Sequence, residues 1–176
     1  MTDQVNQYGA ILYDLDGTLV TLAVDWSTVE YEISTALRDA GVDPDGLETW
    51  DLLDAADDVG VRTEVEEILT RHEREGARRA LRLPLADDLP GTGVPTGVVS
   101  LNAEAAVRIA LEKESLLEFV DVVVGRDTVS ARKPDPEPLL AALQALSVAP
   151  SDALFVGDSE TDERAAARAG VAFRRV

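Results

Sequence analysis

No cysteine occurs among the 176 residues. That excludes disulfides, thiolate catalysis and cysteine-ligated metal in one step. Lysine is nearly absent as well: Lys113 and Lys133 stand alone, beside one histidine, His72. Sixteen basic residues face 34 acidic ones, a net charge of −18 at pH 7. So negative a surface repels nucleic acid phosphates and anionic membranes, so neither is an expected partner. It also strains a compact chain unless salt screens it, and at about 1 M the Debye length is about 3 Å, which points to a salt-adapted, halophilic protein. No apolar run approaches the roughly 20 residues that cross a membrane. The segment Met1–Gln7 is polar and acidic, and Asp14 and Asp16 interrupt the apolar stretch after it, so it does not resemble a secretory signal. A soluble, cytoplasmic protein is expected. Aromatic residues make up only 5% of the chain, and Trp26 and Trp50 read as core.

What is present is organised. Gly9-Ala-Ile-Leu-Tyr-Asp14 is an apolar run ending in an acid, as expected of a strand buried on both faces of a parallel sheet. Helical patterns follow. Ser27-Thr-Val-Glu30 has capping-box spacing, and Val29, Ile33 and Leu37 recur every fourth residue until Gly41. A second helix is predicted over Leu47–Ala56. A third opens at Thr63-Glu-Val-Glu66 and carries Val65, Leu69 and His72, with Gly76 weakening it. His72 reads as a surface or partly buried residue. Arg71, Arg74, Arg78, Arg79 and Arg82 read as a solvated helix face. From Thr96 onward short apolar strands alternate with helices, the signature of β-α-β units. The strands are predicted at Thr96–Leu101, Asp121–Val124, Ala153–Gly157 and Val171–Arg174. The helices lie near Ala103–Glu112, Pro136–Leu146 and Glu160–Ala169, with Asp135-Pro136 opening the second.

Ligands of parallel α/β sheets bind at the carboxyl ends of strands. The residues just past each strand are Asp14 and Asp16, then Ser100 and Asn102, then Lys133, then Asp158 and Asp162. Carboxylates gathered at one edge repel one another unless a cation neutralises them, and hard oxygen ligands suit Mg²⁺. A hydroxyl, an ammonium and a helix start favour an anion such as phosphate. Metal plus anion points to phosphoryl transfer. Alone, Asn102 reads better as a helix N-cap, and Asp162 also suits the start of its helix electrostatically. With arginine plentiful, Lys133 between Arg132 and Pro134 suggests a need for a compact ammonium.

Asp14-Leu-Asp-Gly-Thr18, Ser100, Lys133-Pro134 and Gly157-Asp158-Ser-Glu-Thr-Asp162 resemble, in order, the four motifs of the haloacid dehalogenase superfamily. The motifs resemble its phosphoglycolate phosphatase and β-phosphoglucomutase branch. The resemblance implies a Rossmann-like parallel α/β core, residues 1–20 and 84–176, with a small all-helical cap, 21–83, inserted after the first strand. It implies that Asp14 is nucleophile and metal ligand and that Asp16 is general acid and base, its backbone carbonyl also binding Mg²⁺. Asp158 is implied as a further ligand, and Asp162 as the residue orienting a metal-bound water. Ser100 and Lys133 are implied to hold the phosphoryl group, with Thr18 grouped with them as phosphate-binding and supporting the loop, and Asn102 backing the site. A phosphatase of a small phosphorylated metabolite is the expected function. A phosphomutase or an idle binding protein are the alternatives, and the oligomeric state is not readable. Two features depart from the pattern: Leu85–Pro95 leaves little room for a helix before the second motif, and Leu101 stands where a small or polar residue is common.

Overall fold

The structure is a computed structural model that describes residues 7–47 and 49–176; the side chains of Thr49 and Trp50 lie outside the description, as does most of the Met1–Gln7 segment. Five parallel strands form the central sheet: β1 (Ala10–Tyr13), β4 (Thr96–Val99), β5 (Val122–Val124), β6 (Ala153–Gly157) and β7 (Ala172–Arg175). Their order is β5-β4-β1-β6-β7. The chain steps outward from β1 to β5, then crosses back to the other side of β1, so its direction reverses around the first strand. The crevice of a doubly wound sheet opens at such a reversal.

All four residues of β1 are buried, as its apolar run predicts. Strand alternation divides them: Ile11 and Tyr13 join one core with Val98, Val107 and Leu111, while Ala10 and Leu12 join another with Phe155, Leu139 and Ala166. Helices α4 (Glu104–Lys113), α5 (Glu137–Leu146) and α6 (Glu160–Ala169) cover the two faces. Asp135 accepts the Glu137 N–H at 2.8 Å, so the expected Asp-Pro opening of α5 is present.

Between β1 and β4 come β2 (Val20–Thr21), the helices α1 (Trp26–Asp39), α2 (Thr49–Asp58) and α3 (Arg62–Ala77), and β3 (Leu81–Arg82). The helices have a core of their own, including Val29, Ile33, Leu37, Leu53, Val65 and Leu69. Strands β2 and β3 pair antiparallel, Val20 with Arg82 and Thr21 with Leu81, where the chain leaves the sheet and returns to it.

Three local expectations are corrected, those on the cap of α1, on the start and stripe of α3, and on Trp26. Asp25, not Ser27, caps α1: its carboxylate accepts the Thr28 N–H at 3.2 Å and also takes both neighbouring hydroxyls. α3 begins at Arg62 without a side-chain cap, and its buried stripe runs Val65, Leu69, Glu73 rather than through His72. His72 is partly buried, with Nε2 3.3 Å from Glu32. Trp26 is about one-third exposed and joins none of the cores formed by the described residues. Before β4, Pro84–Gly91 forms a 3₁₀ helix where the sequence leaves little room for an α-helix. Among the described residues no helix is long and apolar enough to cross a membrane.

Candidate active site

The carboxyl ends of β1, β4 and β6 open on a pocket of about 190 Å³. Asp14, Asp16, Ser100, Asn102, Lys133, Asp158 and Asp162 all line it, so the structure brings together seven of the eight site residues expected from sequence. Thr18 is the exception and corrects the expectation that it binds phosphate. It is buried beneath the turn and lines a separate cavity with Leu83 and Pro84. Its hydroxyl is the one buried side-chain polar atom without a partner among the described residues.

The turn after β1 is tight. Gly17 has φ +82°, and a Cβ there would lie 2.3 Å from Asp158 Oδ2, so the glycine both makes the turn and admits the acid. Asp14 ends the strand almost fully buried, and its Oδ1 accepts a hydrogen bond from Lys133 Nζ at 2.8 Å. Burial pushes the Asp14 carboxyl up to about 6; the Lys133 charge pulls it back and Asp162 pushes it further up. Asp16 is half-buried and accepts the Leu22 N–H at 2.8 Å. Its carboxyl is also raised, by burial first and by the Asp158 charge, while the Leu22 and Gly17 amides oppose the shift.

Lys133 is buried and uses its three donors on three acceptors: Asp14 Oδ1, Asp162 Oδ1 at 2.6 Å and the Val99 carbonyl at 3.1 Å. Burial works against its charge, and the two carboxylates more than offset that, so it is held firmly protonated. A compact ammonium serves this three-way junction, as its isolation among arginines suggests. Asp162 bears out its expected place at the helix start and adds a contact that sequence did not suggest. Oδ1 holds Lys133, while Oδ2 accepts from Ser159 Oγ and N–H, closing a capping box that starts α6.

Asn102 does not cap α4, which starts at Glu104 after Ala103 with no side-chain cap from that position. It turns inward, and both its N–H and its Nδ2 donate to Ser100 Oγ at 3.2 Å. With both lone-pair positions of Oγ filled, this pocket-lining hydroxyl keeps its own proton free to donate.

Four carboxylates therefore face one fully engaged ammonium. One oxygen from each of Asp14, Asp158 and Asp162 lies within 4.8 Å of the others. A hard-oxygen set with surplus negative charge fits a divalent cation such as Mg²⁺. Sequence reading missed Trp26, which closes the pocket from α1, and a buried ion pair, Arg126 with Glu73, behind Ser100. Trp26 carried no local signal of its place. Glu73 carried one, an acid at four-residue spacing on the stripe of Val65 and Leu69.

Acids, an ammonium and a hydroxyl converging on the crevice of a parallel sheet define a Rossmann-like α/β enzyme. The chain belongs to the haloacid dehalogenase-like hydrolases, whose family model matches residues 62–176. It is 34% identical to the phosphoglycolate phosphatase of Rhodospirillum rubrum, over 92% of this chain and 76% of that one. It is 32% identical to the pyrophosphatase PpaX of Bacillus cereus, over 86% and 75%. A hydrolase of the same superfamily from Geobacter sulfurreducens superposes with a TM-score of 0.62 at 27% identity, over 94% of this chain and 88% of that one. The chain is thus a hydrolase of the phosphatase kind.

Proposed function

We propose that this enzyme is a Mg²⁺-dependent phosphatase that hydrolyses a small phosphorylated metabolite through a phospho-aspartate on Asp14. The observation that carries the reading is the buried Asp14 carboxylate, held by Lys133, with a second acid two residues on lining the same pocket. An Asp14 oxygen attacks phosphorus, and the bond from phosphorus to the ester oxygen breaks. Asp16, whose raised pKa favours the protonated form, gives its proton to the departing alkoxide. A water then attacks the phosphorylated Asp14 and passes a proton to Asp16, orthophosphate leaves, and both carboxyls return to their starting states. Lys133 and the Ser100 hydroxyl hold the charge on the transferring group. Mg²⁺ held by the Asp14 and Asp158 carboxylates and the Asp16 carbonyl would draw charge from the phosphoryl oxygens and offset the crowded acids. Asp162, which grips Lys133, would set the water on that ion.

The small pocket and the names of two relatives, one a phosphoglycolate phosphatase and one a pyrophosphatase, support a small phosphorylated substrate. In this reading residues 21–83 are the cap over the site and 1–20 with 84–176 the core, working in a salt-rich cytoplasm. The test is phosphate release from a panel that includes phosphoglycolate, pyrophosphate and sugar phosphates, with and without Mg²⁺, beside Asp14→Asn. Release is expected to require Mg²⁺ and to fall more than about 10³-fold in the variant. Undiminished release by Asp14→Asn would sink the proposal, as would a folded, Mg²⁺-binding protein that cleaves none of these compounds.

A further inference from the structure

The three residues after Ser100 are gripped from behind by two buried charges on different parts of the chain. Arg126, in the loop after β5, donates from Nη1 to the Leu101 carbonyl at 2.9 Å, and its backbone N–H donates to the Asn102 carbonyl at 2.9 Å. Glu73, near the end of α3, accepts the Ala103 N–H on Oε2 at 2.9 Å. The two side chains also bind each other, through Nη1 to Oε1 and through Nη2 to Oε2 at 3.2 Å. Nε reaches Glu66 at 2.9 Å and Nη2 reaches the Thr70 hydroxyl at 3.5 Å. All five guanidinium N–H groups are thus occupied, a set that no lysine reproduces. Asn102, fixed by this grip, donates from its backbone N–H and its Nδ2 to Ser100 Oγ, so this pocket-lining hydroxyl keeps its own proton free to donate.

We propose that Glu73 and Arg126 are positioning residues that set the Ser100 hydroxyl through the 101–103 backbone. Because Glu73 belongs to the helical insertion, seating the insertion and setting that hydroxyl are one event. The attraction of the two charges does not by itself account for the pair, since well-packed apolar residues in place of a buried ion pair are often as stable or more so; what apolar residues cannot replace is the hold on the 101–103 backbone. The inference rests on the phosphatase reading, in which Ser100 touches the transferring phosphoryl group.

The test is the double variant Glu73→Leu/Arg126→Leu, which leaves neither charge buried alone; Glu66 keeps Arg62 at 3.0 Å. Its thermal midpoint is expected to fall by a few degrees, because the Ala103 N–H and the Leu101 carbonyl lose their partners, and kinetics are therefore compared well below that midpoint. Its kcat is expected to fall about 10- to 100-fold on the best ester, with KM changing less. In a Ser100→Ala background the same pair of substitutions is expected to cost less than about twofold further. An unchanged kcat, or losses that multiply in full with Ser100→Ala, would overturn the proposal. Should the double variant not fold, Arg126→Lys, which keeps a charge and loses the fork, enters the same cycle with the same expectations. Absence of phosphate release by the unsubstituted chain would defeat the phosphatase reading separately. Amide exchange then decides the positioning role: slow exchange at Asn102 and Ala103 that quickens in the variant supports it, and equal exchange overturns it.

Discussion

At the scale of single residues, Asp14 sets the pH behaviour of the protein without metal. Its carboxyl sits at about 6 in the fold against an ordinary 3.8, chiefly through burial. Between those values the folded chain keeps a proton that the unfolded chain has released. The stabilisation from this group is therefore complete below about pH 4 and is lost as pH rises through about 6. Binding a cation requires the same proton to leave. Calorimetric titration with Mg²⁺ between about pH 5 and 8 is expected to show affinity weakening up to about tenfold per unit below 6 and levelling above it. A flat affinity across that window would mean that Asp14 either is not a ligand or is already ionised at pH 5. Asp14, Ser100 and Asp158 are legible in sequence because each directly follows a strand, and a strand's end is a local signal; Lys133, well past the end of β5, is marked instead by being a rare lysine among arginines. Trp26 and Arg126 are not, because their places depend on how the insertion seats on the sheet, which no window of sequence contains.

At the scale of elements, Gly76 separates propensity from packing. Near the end of α3 the sequence marks it as a weak point, and propensity alone gives Gly76→Ala a gain of about 1 kcal/mol. In the structure a Cβ at this position would lie 2.6 Å from Val24 Cγ2 and 3.0 Å from the Ala23 and Val24 backbone, where the chain entering α1 crosses the helix. Backbone cannot swing aside as a side chain does, and overpacking typically costs about 1–3 kcal/mol. Gly76→Ala is expected to lower the thermal midpoint by a few degrees, and a raised midpoint would refute the close crossing. The same contrast explains which elements could be read. β1 and β6 are unbroken apolar runs, and the insertion helices carry apolar patterns long enough to declare a period. β2 and β3 have two residues each, too few for any period, and pair only because the insertion brings their ends together. The caps depend on the approach of the chain: the sequence pointed to Ser27 as the cap of α1, and the path from β2 places Asp25 where the first free N–H groups lie.

At the scale of the molecule, the charge of −18 is not relieved by the ion pairs. Both lysines and most arginines already have acidic partners, among them Arg38 with Asp45, Arg71 with Glu32, Arg132 with Asp54 and Arg175 with Glu163. Such exposed pairs contribute at most about 1 kcal/mol each. The surplus acids, Glu67 and Glu112 among those on exposed helix positions, repel one another over a distance that salt sets. Raising KCl from about 0.05 M to about 2 M cuts that distance to within a few ångströms. A gain of about 2 kcal/mol from screening would raise the midpoint by about 4–8 °C for a chain of this size. Salts excluded from protein surfaces stabilise by another route, one that depends on area and not on charge. Replacing Glu67 and Glu112 with glutamine distinguishes the two, because it leaves the area nearly constant. The midpoint of that variant in low salt is expected to rise and its response to KCl to shrink; a response of undiminished size would assign the effect to exclusion and remove the case for salt adaptation by charge.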